Sequence, residues 1–397
     1  MPKLITFLSL LLLVSCGSFK SKEPEKLEKI KSNFLIKAVW VKDSGGISPN
    51  AYRQLPITID EEKIYIAHAR GRVSSLEFST GEEIWQVDTG EQLLSGPGVG
   101  GNTLVVTTKE AGVIALSADK GELLWRTKLV SEVIVSPLIY EEKVFIQSID
   151  GTFNALNIKT GEKVWVQSRI VPPLSLRGSS RPVIVEDNIV AGFADGKLVS
   201  YDIASGKMVW ETTIAVPRGR TDLERIVDID GVFSWQDGVL YAVSYQGRIV
   251  ALSASDGQII WAREMSSYAG VILEQEQVFV TDAKGFVWAL DRQTGATLWR
   301  QEKLEGRNIS VPVIMKEALV VTDLAGYVHL LAKDDGHFID RRKVEDFYRN
   351  MDFDISEEYI SDMDLKVTSL PKVKDNMLVV RDNEGTLGVF KVLPLTN

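Results

Sequence analysis

The sequence predicts an all-β fold, an eight-bladed β-propeller of four-stranded antiparallel blades whose ring is closed by an N-terminal strand. The first observation is a frame that recurs six times, in which a leucine-like residue is followed nine residues later by Trp, with Gly four residues before the Trp. Its members are Leu76/Gly81/Trp85, Leu116/Gly121/Trp125, Leu156/Gly161/Trp165, Tyr201/Gly206/Trp210, Leu252/Gly257/Trp261 and Leu290/Gly295/Trp299. The Trp-to-Trp steps of 40, 40, 45, 51 and 38 residues match one four-stranded blade and are too long for a leucine-rich repeat. The second observation is a proline that precedes a hairpin glycine by 14 or 15 residues, at Pro56, Pro97, Pro137, Pro182, Pro312 and Pro371. Such a proline suits the start of a first strand, where a missing N–H is tolerated. Units at Gly247 and Gly285 lack the proline but keep Gly and Trp, so the two markers together give eight units. The third observation is an orphan strand, Phe34-Leu-Ile-Lys-Ala-Val-Trp40, ahead of the first repeat.

Within a unit, the run from Lys143 to Trp165 shows the logic. Two strand-like stretches meet at Asp150-Gly151 and a third begins after Thr160-Gly161. Both turns use glycine for the positive φ of a tight hairpin. A blade sandwiched between two neighbours buries both faces of its middle strands, which accounts for unalternating runs such as Phe286-Val-Trp-Ala-Leu290.

Two units depart from the frame. The Gly326 unit reads Leu331…Gly336-His-Phe-Ile-Asp340, with Asp in place of Trp, and is expected to be a blade with a weaker outer strand. An acidic insertion from about Arg341 to Leu365 follows it. The Gly385 unit ends at Asn397 with no room for a fourth strand, so Phe34–Trp40 is expected to supply it and remove the open edges.

Ahead of the repeats, Met1-Pro-Lys3 leads into an apolar run from Leu4 to Val14 and then Ser15-Cys16-Gly17, the layout of a processed signal. The run is too short to span a bilayer. Cys16 is the one cysteine in 397 residues, so the chain cannot form an internal disulfide. Leu13-Val-Ser-Cys16 resembles a bacterial lipobox, which implies cleavage before Cys16 and acylation of it; the alternative is a plain signal peptide. Several acyl chains anchor stably where one does so only marginally. Gly17 after the Cys resembles lipoproteins sent to the outer membrane. Residues 1–15 are thus expected to be a lipoprotein signal peptide, 16–33 a lipidated Cys and flexible Lys/Glu tether, and 34–397 the propeller.

Composition narrows the partners. The formal net charge is −9, falling to −10 once Lys3 is removed with the signal, and no basic stripe marks nucleic-acid binding. The acidic run from Asp352 to Glu358 with Asp362 and Asp364 lacks the order of a calcium loop and reads as a solvated segment. His68, His329 and His337 are too scattered for a metal centre and read as ordinary strand or turn residues. No nucleophile elbow, phosphate loop or dinucleotide fingerprint is present. No cofactor, metal or catalytic residue is expected.

Through its Ala-Leu…Thr-Gly…Trp repeats, over roughly residues 34–397, the chain resembles the pyrroloquinoline-quinone-type propeller superfamily. One branch of that superfamily implies a quinone-dependent oxidoreductase with a calcium ion, a catalytic Asp and commonly an adjacent cysteine pair; this sequence has no such pair and is shorter. Another branch implies a non-enzymatic scaffold. A lipobox followed by eight such blades resembles the BamB family, lipoproteins of the outer-membrane β-barrel assembly machine. A propeller lipoprotein binding another periplasmic protein or a glycan is the remaining alternative.

Two loops carry the narrower resemblance. Val171-Pro-Pro-Leu174-Ser175-Leu176-Arg177-Gly178 is similar to the segment that family uses against the periplasmic domains of BamA, and Leu223-Glu-Arg225-Ile-Val-Asp228-Ile-Asp230 is similar to its Arg-x-x-Asp-x-Asp segment. The resemblance implies partner-binding roles for Leu174, Ser175, Leu176, Arg177, Arg225, Asp228 and Asp230, with lipidation at Cys16. It implies an outer-membrane location facing the periplasm and leaves open whether unfolded β-barrel substrates also bind. The residues themselves point the same way, since leucines and an arginine in a Pro/Ser/Gly loop on a rigid scaffold suit recognition. The competing reading is that the leucines cap the core and Arg177 pairs internally with Asp228 or Asp230, which could itself hold the loop in a binding shape.

Overall fold

The computed structural model describes residues 24, 26–31, 34–45, 55–172, 174–175, 180–316, 318–349 and 370–394. They form eight four-stranded antiparallel sheets, the blades of a propeller. Blades 1 to 7 run through residues 58–88, 98–128, 138–168, 183–213, 234–265, 271–301 and 313–343. Blade 8 takes three strands from 372–394 and its fourth from Phe34–Asp43, which pairs with Thr386–Pro394. Ring closure by the N-terminal strand is therefore as the sequence predicts.

The recurrent Gly and Trp turn out to join neighbouring blades. In every blade the ladder between third and fourth strands carries a β-bulge just before the Trp position, as between Ala155 and Leu156, which pair with Trp165 and Lys163. The bulge turns the indole toward the next blade. Trp85 Nε1 donates to Ala118 O at 2.9 Å, Trp125 to Ile158 O at 2.7 Å and Trp165 to Ile203 O at 3.0 Å. Trp40 does the same from the closing strand, donating to Phe78 O at 2.8 Å. Each acceptor lies three residues before the Thr-Gly-type turn glycine of the following blade, and each such glycine lies flat on the donor's ring. A Cβ on Gly81 would fall 2.6 Å from Trp40, and one on Gly121 2.6 Å from Trp85. The hydrophobic cores sit in these seams: Tyr65 and Trp85 of blade 1, for example, pack with Leu104 and Ile114 of blade 2.

This contact explains Asp340. Blade 8 borrows its fourth strand from the N-terminus, so it has no hairpin between third and fourth strands to receive a Trp from blade 7. The outer strand of blade 7, Phe338–Lys343, is as long as its counterparts; the expected weakening is not seen. Arg341 to Lys343 belong to that strand, so the insertion begins at the helix Val344–Arg349, and its acidic portion lies outside the described residues.

Five prolines, Pro97, Pro137, Pro182, Pro312 and Pro371, stand directly before their first strands, outside the ladder. Where the proline is missing, blades 5 and 6 meet backbone to backbone. A Cβ on Gly231 would lie 2.5 Å from Gly270 Cα, and Val232 bridges to Gly270.

Candidate functional site

Because strands alternate in direction, the loops leading from one blade to the next share a face with the turns between second and third strands. The loops at 169–182 and 214–233 both lie on this loop face, at the junctions of blades 3–4 and 4–5. The opposite face carries the Thr-Gly-type turns.

The first loop is fixed at its base by Arg169, which bonds Asp195 at 3.1 Å and Glu211 at 2.7 Å and stacks 5.0 Å over Phe193. Burial works against the Arg169 charge, but hydrogen bonds to Glu211 and Asp195 outweigh it and hold its pKa above the ordinary value. The second loop is fixed from within. Ile226, Val227, Asp228 and Ile229 are buried, with Ile229 packing on Phe233, Ile214 and Leu240. Asp228 O accepts from Tyr245 N at 2.9 Å. Above this buried stretch sits a single 3-10 turn, Leu223–Arg225, braced by Glu224, whose carboxylate accepts from Arg220 N at 2.7 Å and Thr221 N at 3.2 Å. Those backbone donors hold its pKa below the usual carboxylate range.

The two loops meet over the turns of blades 3 and 4, where a shallow cleft is lined by Gln147, Val171, Ser175, Phe193, Ile229 and Asp230. Ser175 and Asp230 are thus brought together. Leu174 is 42% exposed, and Arg225, in the second loop, is exposed as well. Asp228, by contrast, is fully buried. Leu176, Arg177 and Cys16 lie outside the described residues.

Sequence reasoning missed the most exposed apolar side chains of this face. Ile170 is 94% exposed, Leu223 69%, Val216 55%, and Val130, on the preceding inter-blade loop, 84%. The signal was available: each is an apolar residue in a polar or glycine-bearing connection between blades, with no strand periodicity to place it inside. Four adjacent blades therefore present apolar groups on one face, and such patches mark interaction sites. Among the described residues no group of three or more His, Cys, Asp or Glu side chains could hold a metal ion.

A family profile described as outer membrane protein assembly factor BamB matches residues 69–301, over half of the chain. The chain belongs to the BamB family. It is 36% identical to the BamB of Pseudomonas aeruginosa over 337 residues, covering 84% of this chain and 89% of that one. With the Bordetella pertussis BamB it shares 32% over 345 residues, covering 86% and 88%. The crystal structure of BamB from Moraxella catarrhalis superposes with a TM-score of 0.78 at 25% identity, covering 90% of this chain and all of that one. A quinohemoprotein alcohol dehydrogenase from Comamonas testosteroni has a TM-score of 0.67 at 11% identity, a likeness of fold alone.

Proposed function

We propose that this BamB-family chain is a non-enzymatic scaffold lipoprotein of the outer-membrane β-barrel assembly machine, which docks to the periplasmic domains of BamA through its loop face and supports barrel insertion. The observation that carries the reading is the apolar set Ile170, Leu174, Val216 and Leu223, raised on two rigidly based neighbouring loops. A base fixed before binding lowers the ordering cost of the loops, so burial of these side chains is converted to affinity more efficiently. Arg225, exposed in the same turn as Leu223, is of the type that dominates interface energetics. Asp228 supports the site from beneath, and Asp230 and Ser175 line the cleft between the loops. Acylation at Cys16 would hold the scaffold at the periplasmic side of the outer membrane. Purification of the tagged chain from detergent-solubilised outer membranes tests this: BamA is expected to accompany the wild type and to be depleted when Ile170 and Leu223 are both replaced by Asp. Recovery of BamA with that variant, or its absence from the wild type, would overturn the reading.

A further inference from the structure

Leu27 and Glu28, expected to belong to a flexible tether, are seated on the propeller. Leu27 packs against the core between blades 6 and 7, which contains Trp299, Leu304 and Leu331, with Phe338 beside it. The Glu28 carboxylate pairs with Lys303 at 2.8 Å, and Glu28 O accepts from Arg341 Nη1 at 2.8 Å. Arg341 is itself fixed: its Nε donates to His329 Nδ1 at 2.9 Å, its guanidinium lies 4.5 Å over Phe338, and His329 is held from the other side by Asp323 at 3.0 Å. The seat is thus an apolar notch with two cations converging on one tether residue, built before the closing strand begins at Phe34.

The same rim has an unusual surface. Five of the eight cation–aromatic stacks among the described residues lie on blades 5 to 7. Trp288 is flanked by Arg263 and Arg300, each 4.8 Å from its ring, and Lys343 lies 5.6 Å over Tyr327. Aromatic rings paired with cations suit the headgroup layer of a bilayer, where an apolar body and a charged tip are both accommodated.

We infer that the tether delivers the lipid anchor at the seam of blades 6 and 7, so that the propeller meets the bilayer by this rim. The inference rests on acylation at Cys16. Leu27 is eleven residues beyond Cys16, so at most about 40 Å of extended chain separates the seat from the lipid. The loop site at blades 3–5 then lies two or more blades round the ring, turned away from the bilayer and open to a periplasmic partner. A freely swinging tether would impose no such orientation.

Two measurements test it. In the soluble Cys16→Ser chain, zero-length carbodiimide coupling should join Glu28 to Lys303 as the main tether cross-link, and Leu27→Asp should reduce it at least fivefold. Indiscriminate coupling of tether carboxylates to lysines around the ring would overturn the seat. In the acylated chain Cys16 carries no free thiol, so single cysteines at Leu298 on blade 6 and Leu124 on blade 2, similarly exposed positions on opposite sides of the ring, can be labelled uniquely. In vesicles of phosphatidylethanolamine and phosphatidylglycerol with a fluorescent headgroup acceptor, energy transfer from position 298 should exceed that from 124 at least twofold. Equal or reversed transfer would overturn the orientation. Release of Cys16→Ser from membranes reads out the acylation separately, so a failed seat and a failed anchor are told apart.

Discussion

Gly121→Ala isolates the contact that couples neighbouring blades. Gly121 has φ +71°, and a Cβ there would lie 2.6 Å from Trp85 Cε3 and 3.0 Å from Cδ2. Gly90 has nearly the same backbone, φ +76°, with nothing within 4 Å of its Cβ position. Both substitutions incur the left-handed penalty of about 1–2 kcal/mol. Only Gly121→Ala also drives a methyl into a buried indole, which costs about 1–3 kcal/mol more by the usual overpacking scale. Retreat of the turn would strain the Trp85 bond to Ala118 O, within that same turn, worth about 1 kcal/mol. Urea denaturation should therefore show a loss of about 3–5 kcal/mol for Gly121→Ala against about 1–2 for Gly90→Ala. Adding Trp85→Ala to Gly121→Ala should cost less than the two single losses together, because the clash has gone. Equal losses for the two glycines would refute the seam as the reason for the motif.

Other consequences follow from closure, protonation and anchoring. Trp40→Ala should destabilise the ring by about 3–5 kcal/mol, read as a lower melting temperature, because it empties a buried site on the closing strand; unchanged melting would sink the closure account. His68 is pushed down to about 3 by burial and by the charges of Arg381 and Arg72, which also hold Ser44 and Gly45 after that strand. The unfolded chain takes up this proton below about 6.5 and the folded chain does not, so stability is lost as pH falls from about 6.5 toward 3. His68→Gln should flatten this slope by an amount on the order of 4 kcal/mol across the window, and an unaltered pH profile would contradict the assignment. Cys16→Ser should leave the membrane fraction with melting unchanged; retention after a carbonate wash would count against acylation.

The blade count, the closing strand and the two inter-blade loops were legible in the sequence because each has a local steric signature. Hairpin glycines need positive φ, bulged strands need a fixed Leu-to-Trp spacing, and first strands tolerate a preceding proline. What the Trp does was not legible, since its acceptor lies a blade away, 33 residues on for Trp85. For the same reason Asp340 read as weakness in its own strand, whereas the cause is the missing hairpin in blade 8. Of the residues named from the motifs, Leu174, Ser175, Arg225 and Asp230 lie in the two inter-blade loops outside the buried stretch, whereas Asp228, identical in type to Asp230, differs in depth. That depth goes with the burial of Ile226 to Ile229, the last of which enters the blade 4–5 core, a tertiary event with no periodic pattern. Ile170, Val216 and Leu223 were passed over because apolar residues in loops carry no period either. The seat of Leu27 and Glu28 was hidden by a Lys/Glu-rich stretch whose composition matches a solvated tether.

The most direct test of the account is calorimetric titration of the soluble chain with the isolated periplasmic domains of BamA. Ile170→Asp with Leu223→Asp should weaken binding by about 30-fold or more, the equivalent of about 2 kcal/mol, with melting little changed. Lys120→Ala with Lys159→Ala, on turns of the opposite face, should leave affinity as it is. Loss of binding in the turn-face variant with affinity retained in the loop-face variant would contradict the assigned docking surface.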